Sequence, residues 1–245
     1  MAAFRYCAPV ARTLVFTATY DEAQNAPIWV TEVRAAAPQT DLLVVDDDSP
    51  DGTGRVLDEI ARDEPSLTVI HRAGKSGLAS AHLLAMRYAL EHGYDVLVTM
   101  DADGSHIPAQ IPRLLAAIPP NDFVIGTRYR GGSHRAGALR RTLSAGANGL
   151  ARVILPTGLS EYTTSFRAFD RKALQVLADA NFTTGGYAFF VECIEILHHS
   201  DPRMTEIPID FLDRTHGRSK IPKSQIYMSV QALFSMGIAR RRRHL

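Results

Sequence analysis

The sequence predicts an α/β fold, a mostly parallel sheet with helices on both faces. Three observations predict it. Short apolar runs alternate with stretches of helical periodicity from residue 13 to about residue 130, the order that builds strand–helix–strand units. The runs are apolar without a break, as in Asp41-Leu42-Leu43-Val44-Val45-Asp46, which is how strands covered on both faces read. Two of them end in carboxylates, Asp46-Asp47-Asp48 and Asp101-Ala102-Asp103, and open α/β sheets bind ligands in the crevice beyond the carboxyl ends of their strands.

Thr13-Leu14-Val15-Phe16-Thr17 is the first strand. A helix follows with Pro27 near its first turn, where a missing N–H costs little. Asp41 to Asp46 is the second strand, residues 53–63 a helix, and Leu67-Thr68-Val69-Ile70 the third strand. Gly77 to His92 reads as a helix with Leu78, Ala81, Ala85, Tyr88 and Ala89 on one face, closed by Gly93. The strand Tyr94-Asp95-Val96-Leu97-Val98-Thr99-Met100 then delivers the two aspartates. Pro108 starts another helix, and Phe123-Val124-Ile125-Gly126 is a further strand. Beyond residue 130 the pattern is less regular, with a long helix over 137–154 and a late strand, Glu206-Ile207-Pro208-Ile209-Asp210-Phe211.

The bulk numbers narrow the function. A chain of 245 residues, 46% hydrophobic and 22% charged, builds a full α/β core. The reading is one domain over residues 1–222 and a C-terminal appendage over 223–245, an amphipathic helix with a basic tail. A net charge of +1 gives no electrostatic case for nucleic acid. Cys7 and Cys193 have no metal-ligand spacing and suggest a reducing compartment. The N-terminus MAAFRYCAPVART does not read as a secretory signal. No apolar run approaches the ~20 residues that cross a bilayer. These features predict a cytoplasmic chain, or one that touches a membrane from its side.

Asp101 and Asp103 carry the chemistry. Hard carboxylate oxygens at a strand's mouth suit Mg²⁺ or Mn²⁺, which in turn grip a diphosphate; paired acids in such a place also cap helices or sit solvated. Asp46 and Asp47 end the second strand, where a carboxylate accepts hydrogen bonds from a base or ribose, while Ser49 to Thr53 reads as turn and cap chemistry. Tyr20 and Glu22 occupy the same mouth after the first strand and offer an aromatic face and an acceptor to a nucleoside. No Gly-x-Gly-x-x-Gly follows that strand and no full Gly-x-x-x-x-Gly-Lys-Ser/Thr loop is found, which disfavours a dinucleotide fold and a phosphate loop of that kind. Arg72-Ala73-Gly74-Lys75-Ser76-Gly77 is a basic loop that could approach phosphate. Downstream lie Arg128, Arg167, Arg214, Arg218 and Lys220. A leaving nucleoside diphosphate gathers negative charge, which a metal and such cations stabilise.

Together these stretches resemble glycosyltransferase family 2, and within it the dolichol-phosphate (polyprenol-phosphate) mannosyltransferases. The matching segments are Thr19 to Asn25, Val44 to Thr53, Gly74-Lys75-Ser76-Gly77-Leu78, Gly93 to His106, Gly126-Thr127-Arg128-Tyr129, Ser165-Phe166-Arg167-Ala168-Phe169, Gly186 to Phe189 with Glu192, and Ile207-Pro208-Ile209 running on to Lys220. The resemblance implies a GT-A-type (Rossmann-like) fold with a small C-terminal helical appendage. It implies an inverting, metal-dependent transfer of mannose from GDP-mannose to a polyprenyl phosphate. Tyr20, Glu22, Val44 and Asp46 would hold guanosine. Asp101, Ala102 and Asp103 would hold sugar and diphosphate, with Asp103 as leading Mg²⁺ or Mn²⁺ ligand and Asp101 beside it. Lys75, Arg128, Arg214 and Lys220 would serve the donor phosphates, the last two from a closing loop. Glu161, Ser165, Arg167 and Glu192 would lie on the acceptor side. The spacing of Tyr20 and Asp46 does not itself choose guanine over uracil.

The chain also departs from the family pattern. Ala18 stands where the family has proline, and Asp21 where it has asparagine. Asp103-Gly104-Ser105-His106 replaces Asp-Leu-Ser-His or Asp-Leu-Gln-His, and Ser165 takes the place of a glycine, which predicts lost backbone freedom near the acceptor. A divergent relative acting on a soluble acceptor is therefore an alternative; it would need a base, with Glu161, Glu192 or His106 as candidates. A nucleotidyltransferase would want a basic glycine-rich loop after the first strand, where Thr19 to Glu22 is acidic. A non-catalytic sugar-nucleotide-binding subunit is disfavoured by the intact acidic and basic residues. Ile226, Val230, Leu233, Phe234 and Ile238 fall at helical spacing before Arg240 to Arg243. They form either a membrane-surface helix or one packed on the core or on a partner subunit.

Overall fold

The computed structural model describes residues 11–135 and 137–214. In chain order its strands are β1 (Thr13–Thr19), β2 (Asp41–Asp46), β3 (Leu67–His71), β4 (Val96–Thr99), β5 (Phe123–Thr127), β6 (Ser133–His134), β7 (Arg167–Asp170), β8 (Met204–Pro208) and β9 (Asp210–Phe211). Its helices are α1 (Ala26–Ala36), α2 (Thr53–Asp63), α3 (Leu78–Glu91), α4 (Ile111–Ala117), α5 (Ala138–Ile154), α6 (Arg171–Ala178) and α7 (Gly186–His199). A 3-10 turn over Pro108–Gln110 leads into α4, so Pro108 opens a helical segment as its fixed φ suggests.

Seven strands form one sheet in the order β3-β2-β1-β4-β7-β5-β8. Every pairing is parallel except those of β7, which runs antiparallel between β4 and β5. The chain moves outward through β1, β2 and β3, then returns to lay β4 on the other side of β1. That reversal is a topological switch point, and it opens a crevice at the carboxyl ends of β1 and β4. A second, two-stranded parallel sheet pairs β6 with β9 beside that edge, and an isolated bridge joins His106 to Phe211.

Two cores sandwich the sheet. On one face Phe16, Leu43, Leu97 and Ile125 pack with α3, α5, α6 and α7; on the other Val15, Val44, Val98 and Val124 pack with α1, α2 and α4. Alternate residues of each strand enter opposite cores, and for that reason the central strands are apolar at every position. At roughly 1.5–3 kcal/mol for each fully buried Val, Leu or Phe side chain, these two layers dominate the stabilising side of folding.

The late strand differs from its expected span. It begins at Met204, ends at Pro208, and resumes at Asp210 in the small sheet. β7, α6 and α7 carry no expectation from the sequence. β7 is only four residues long and contains an arginine and an aspartate. Ala188 to Ile194 of α7 are buried without interruption, so no 3.6-residue stripe marks it. The appendage expected over residues 223–245, with its apolar stripe and Arg240 to Arg243, lies outside the described residues, as does Cys7.

Candidate active site at the carboxyl edge of the sheet

The switch point gathers the rims of β1, β2, β4 and β5. Asp101 and Asp103 follow β4 directly. Asp103 is buried, and its Oδ1 accepts from the Ser105 N–H at 3.0 Å and the Ser105 hydroxyl at 2.5 Å. Its Oδ2 lies 3.0 Å from Arg214 Nε. The pair is held by charge, since Nε finds no aligned hydrogen-bond acceptor among the described residues. Burial pushes the Asp103 carboxyl upward, but Arg214 and the two Ser105 donors outweigh it and hold the group below its ordinary value. Asp103 is therefore an anion at neutral pH. Gly104, between the aspartate and Ser105, has φ +78°. That left-handed conformation suits the glycine that stands there in place of a leucine.

Asp101 is half-exposed, and its Oδ1 accepts from Ser165 Oγ at 2.6 Å. Ser165 has no left-handed backbone, so its position does not call for a glycine's freedom, and its hydroxyl orients Asp101. The Asp101 N–H donates to His106 Nδ1 at 3.0 Å. A backbone N–H only donates, so Nδ1 is the acceptor and Nε2 carries the proton toward Thr164 Oγ1 at 3.1 Å. In this tautomer His106 is neutral, and the 3.9 Å approach of Nδ1 to Asp101 Oδ2 is not an ion pair.

On the opposite rim Asp46 is buried and takes three hydrogen bonds. Its oxygens accept from Thr19 Oγ1 at 2.8 Å, from Ser49 Oγ at 2.5 Å and from the Ser49 N–H at 3.0 Å. Asp47 is gripped by Arg72, which also reaches Ser80 Oγ at 2.6 Å and the Gly77 carbonyl at 3.2 Å. Asp21, at φ +55°, donates its N–H to Ser49 Oγ at 3.0 Å; asparagine and aspartate both tolerate that region. Glu22 accepts from Asn25 Nδ2 at 2.5 Å and donates its own N–H to Thr53 Oγ1 at 2.9 Å. Tyr20 lies under Lys75, whose Nζ is 4.0 Å from the ring centroid. This cation–π pair links the rim after β1 to the loop after β3. Val44 does not reach the crevice: its side chain is sealed in the core one strand period below Asp46. Ala102 is buried in the same core.

The charges further along are mostly committed to the fold. Arg128 follows β5 and makes a bidentate pair with Glu161, both contacts at 2.8 Å, while Nη2 also donates to Thr163 Oγ1 at 2.9 Å. Nη1 alone is left for another acceptor among the described residues. Burial would raise the Glu161 carboxyl, yet Arg128 and Thr163 hold it low, so Glu161 is a fixed anion rather than a base. Asn148 of α5 completes this network, donating to Thr163 Oγ1 at 3.1 Å and accepting the Tyr162 N–H at 2.7 Å. Arg167 is buried with its guanidinium on three backbone carbonyls, of Thr164, Phe190 and Tyr162, at 2.7–2.9 Å. Burial lowers its pKa to about 10. It ties β7 to α7 and faces no acceptor, contrary to the expectation. Glu192 accepts four hydrogen bonds, from the N–H and hydroxyl of Thr183 and of Thr184, at 2.6–2.9 Å. It anchors the loop before α7. Lys220 and Arg218 lie outside the described residues.

Sequence reasoning misses Asn148 and Phe211, and it reads Arg72 as part of a loop that could approach phosphate, whereas its guanidinium is taken up by Asp47, Ser80 and Gly77. Asn148 carries no local signal; it matters because the fold brings Thr163 to it. Phe211 stacks edge-on to His106 at 5.3 Å and lies 4.9 Å from the Arg128 guanidinium. Gly132 sits close by: a Cβ there would fall 2.1 Å from the Thr127 carbonyl and 2.7 Å from that of Ile209. Only glycine lets the chain double back over Arg128.

These residues fit a divalent ion shared with a ligand. Among the described residues no three His, Cys, Asp or Glu side chains converge to cage a metal alone. Mg²⁺ and Mn²⁺ sites of this type use one or two carboxylates plus substrate phosphates. Asp103 already turns an oxygen to a cation, and Asp101 stands beside it.

A family profile described as "Glycosyl transferase family 2" matches residues 14–177. An undecaprenyl-phosphate mannosyltransferase of Micrococcus luteus is 38% identical over 232 residues, covering 94% of this chain and 96% of its own. A polyprenol monophosphomannose synthase of Mycolicibacterium smegmatis is 40% identical over 234 residues, covering 94% and 88%. Among solved structures, a mannosyltransferase from Pyrobaculum calidifontis in complex with GDP-Man and Mn²⁺ superposes with a TM-score of 0.60 at 18% identity, covering 94% of this chain and 73% of its own. At that identity the likeness speaks for the fold alone.

Proposed function

The chain belongs to glycosyl transferase family 2, and from that premise we propose that it transfers mannose, with inversion, from GDP-mannose to a polyprenyl phosphate. The observation that carries this reading is the meeting of ionised Asp103, Asp101 and Arg214 at the sheet's switch point. Two relatives named for undecaprenyl-phosphate and polyprenol acceptors support the acceptor class. The mannose named in both relatives supports the sugar, and a fold neighbour is crystallised with GDP-Man and Mn²⁺.

Asp101 and Asp103 would hold the Mg²⁺ or Mn²⁺, which when bound neutralises charge on the donor diphosphate. The chain's own residues do the rest. Ser165 and Ser105 aim the two carboxylates. Arg214 and the one uncommitted nitrogen of Arg128 face the charge that grows as the sugar–phosphate bond breaks, and Lys220 would join them. Tyr20 would offer its ring to guanine, and Asp46 and Glu22 would frame the ribose end. Fixed charges act without reorganising at the moment of reaction.

The way the site's acidic and histidine groups are held supports a phosphate acceptor. A hydroxyl acceptor needs a base to take its proton. Glu161, Glu192 and His106, the three candidates, are each held in hydrogen bonds that fix their protonation state or fill their oxygens. A phosphate acceptor is already anionic and needs none, so positioning and charge neutralisation suffice. A polyprenyl acceptor places the reaction at a membrane surface. No helix among the described residues is long and apolar enough to cross one; residues 226–243 would supply peripheral contact there.

The test is incubation with GDP-mannose, Mn²⁺ and a short polyprenyl phosphate, read as a mannosylated lipid by mass. The expected result is a single hexose added, lost with chelator. Equal use of UDP-sugars would remove the mannose assignment, and transfer to a soluble alcohol but not to the lipid phosphate would remove the acceptor.

A further inference from the structure

We infer that Arg214 is a specificity-determining residue that makes metal binding at Asp103 conditional on a diphosphate; this rests on the metal and donor reading just given. The turn Asp103-Gly104-Ser105-His106 and the segment after β9 are stitched into one unit. His106 bridges Phe211, and the Leu212 N–H donates to the Ser105 carbonyl at 3.0 Å. Arg214 therefore starts two residues beyond the last of these backbone anchors, and its side chain folds back onto Asp103.

The contact occupies the oxygen a metal needs. Asp103 Oδ1 is filled by two donors from Ser105, and Oδ2 faces Arg214 at 3.0 Å. A divalent ion held by Oδ2 would share that oxygen with the guanidinium, and two cations repel strongly in a poorly solvated site. Metal and Arg214 are thus competitors for one carboxylate. Enclosure sharpens the competition, since the exposed fractions of the two side chains are only 16% and 5%.

The same contact is poised to break. Arg214 Nε is buried with no aligned acceptor among the described residues, so the guanidinium gains by moving to a better partner. A diphosphate arriving with the ion is such a partner: it offers oxygens that accept two parallel N–H bonds. Metal and diphosphate then bind together, each favouring the other through the movement of one side chain. By linkage the coupling is reciprocal.

The experiment uses Mn²⁺ alone and Mn²⁺ with GDP. Free Mn²⁺ is followed by its electron paramagnetic resonance signal, and GDP binding by calorimetry. The expected result has opposite signs in one variant. Arg214→Gln binds Mn²⁺ alone roughly tenfold tighter than the wild type, the scale of one charge-assisted contact, and binds GDP in the presence of Mn²⁺ more weakly. Arg214→Lys keeps the wild-type order. Asp103→Asn removes Mn²⁺ binding from both backgrounds. A variant that merely loosens the turn would weaken both ligands, and a residue that only touches phosphate would leave Mn²⁺ alone unchanged; either overturns the inference. So does Mn²⁺ retained by Asp103→Asn. Wild-type protein that shows GDP-dependent Mn²⁺ binding, with Arg214→Gln no tighter for Mn²⁺, sinks the inference and leaves the proposed function standing. Wild-type protein that binds neither ligand sinks the function itself.

Discussion

At the amino edge of the sheet Asp122 is buried between β5 and β8. Its oxygens accept from the Arg203 N–H at 2.8 Å and from Arg203 Nη2 at 3.0 Å, and Lys172 Nζ lies 3.6 Å away. At the carboxyl edge Asp103 is just as buried, but Arg214 is the one cation paired with it among the described residues, through a misaligned contact. Both are carboxylates held below their ordinary pKa against burial. The difference lies in redundancy. Asp122 is tied to a strand-edge backbone group and to two cations on separate elements, so no ligand could displace them all. Asp103 holds one mobile partner beside a crevice. The first arrangement locks strands together, and the second leaves an anion available for exchange.

The largest expected effect breaks the comparison if it fails. Asp103→Asn should lower kcat by about 10³-fold, the scale of losing metal-borne charge stabilisation, while the thermal midpoint stays within about 3 °C of wild type. Asp122→Asn should do the reverse. It keeps kcat within about twofold and loses roughly 1.5–3 kcal/mol of stability, from the weakened acceptor for Arg203 and the lost charge, seen as a midpoint about 3–10 °C lower. The Arg203 and Lys172 heads are largely exposed, so screening keeps this figure modest. If both variants lost stability alike, the two edges would be equivalent.

A pH series sharpens the contrast. The folded pKa of Asp122 lies below its ordinary 3.8. Its contribution is therefore full above that value and disappears as pH falls through the lower folded one. Denaturation of the wild type should steepen below about pH 4, and Asp122→Asn should flatten that limb. An unchanged acid limb would show that Asp122 carries no such stabilisation. The smallest effect concerns Ser165. Ser165→Gly removes the donor to Asp101 Oδ1 and should cost about five- to tenfold in kcat/KM, near 1 kcal/mol, with the midpoint unmoved. A shifted midpoint with intact kinetics would assign Ser165 to the fold instead.

The same division governs how much of the molecule is legible in its sequence. β1, β2, β3 and β5 are legible because a short, unbroken apolar run between turn residues suits a buried strand and is too brief for a buried helix. The crevice follows because Asp46 and Asp101 come straight after such runs. Charges mislead where burial reverses their meaning. Glu161, Arg167 and Glu192 look like site residues in sequence, yet Arg167 binds three carbonyls and Glu192 four donors of one loop. Nothing local distinguishes a buried structural charge from one facing a ligand. β7 is hidden for a related reason: its Arg167 and Asp170 mask Ala168 and Phe169, and its place between β4 and β5 depends on strands that lie about 40 and 70 residues earlier in the chain.

That reversed strand has a consequence for how such a protein can diverge. Because β7 runs against its neighbours, it is the stretch upstream of it, not downstream, that meets the crevice: Ser165 reaches Asp101, and its carbonyl receives Thr99 Oγ1 at 2.5 Å. The rims after β1, β2 and β4 and the rim before β7 therefore belong to chain segments that can lengthen, shorten or change independently. Selection could retune one side of the reaction by editing residues 156–165 while the opposite side, written more than fifty residues earlier, stays untouched.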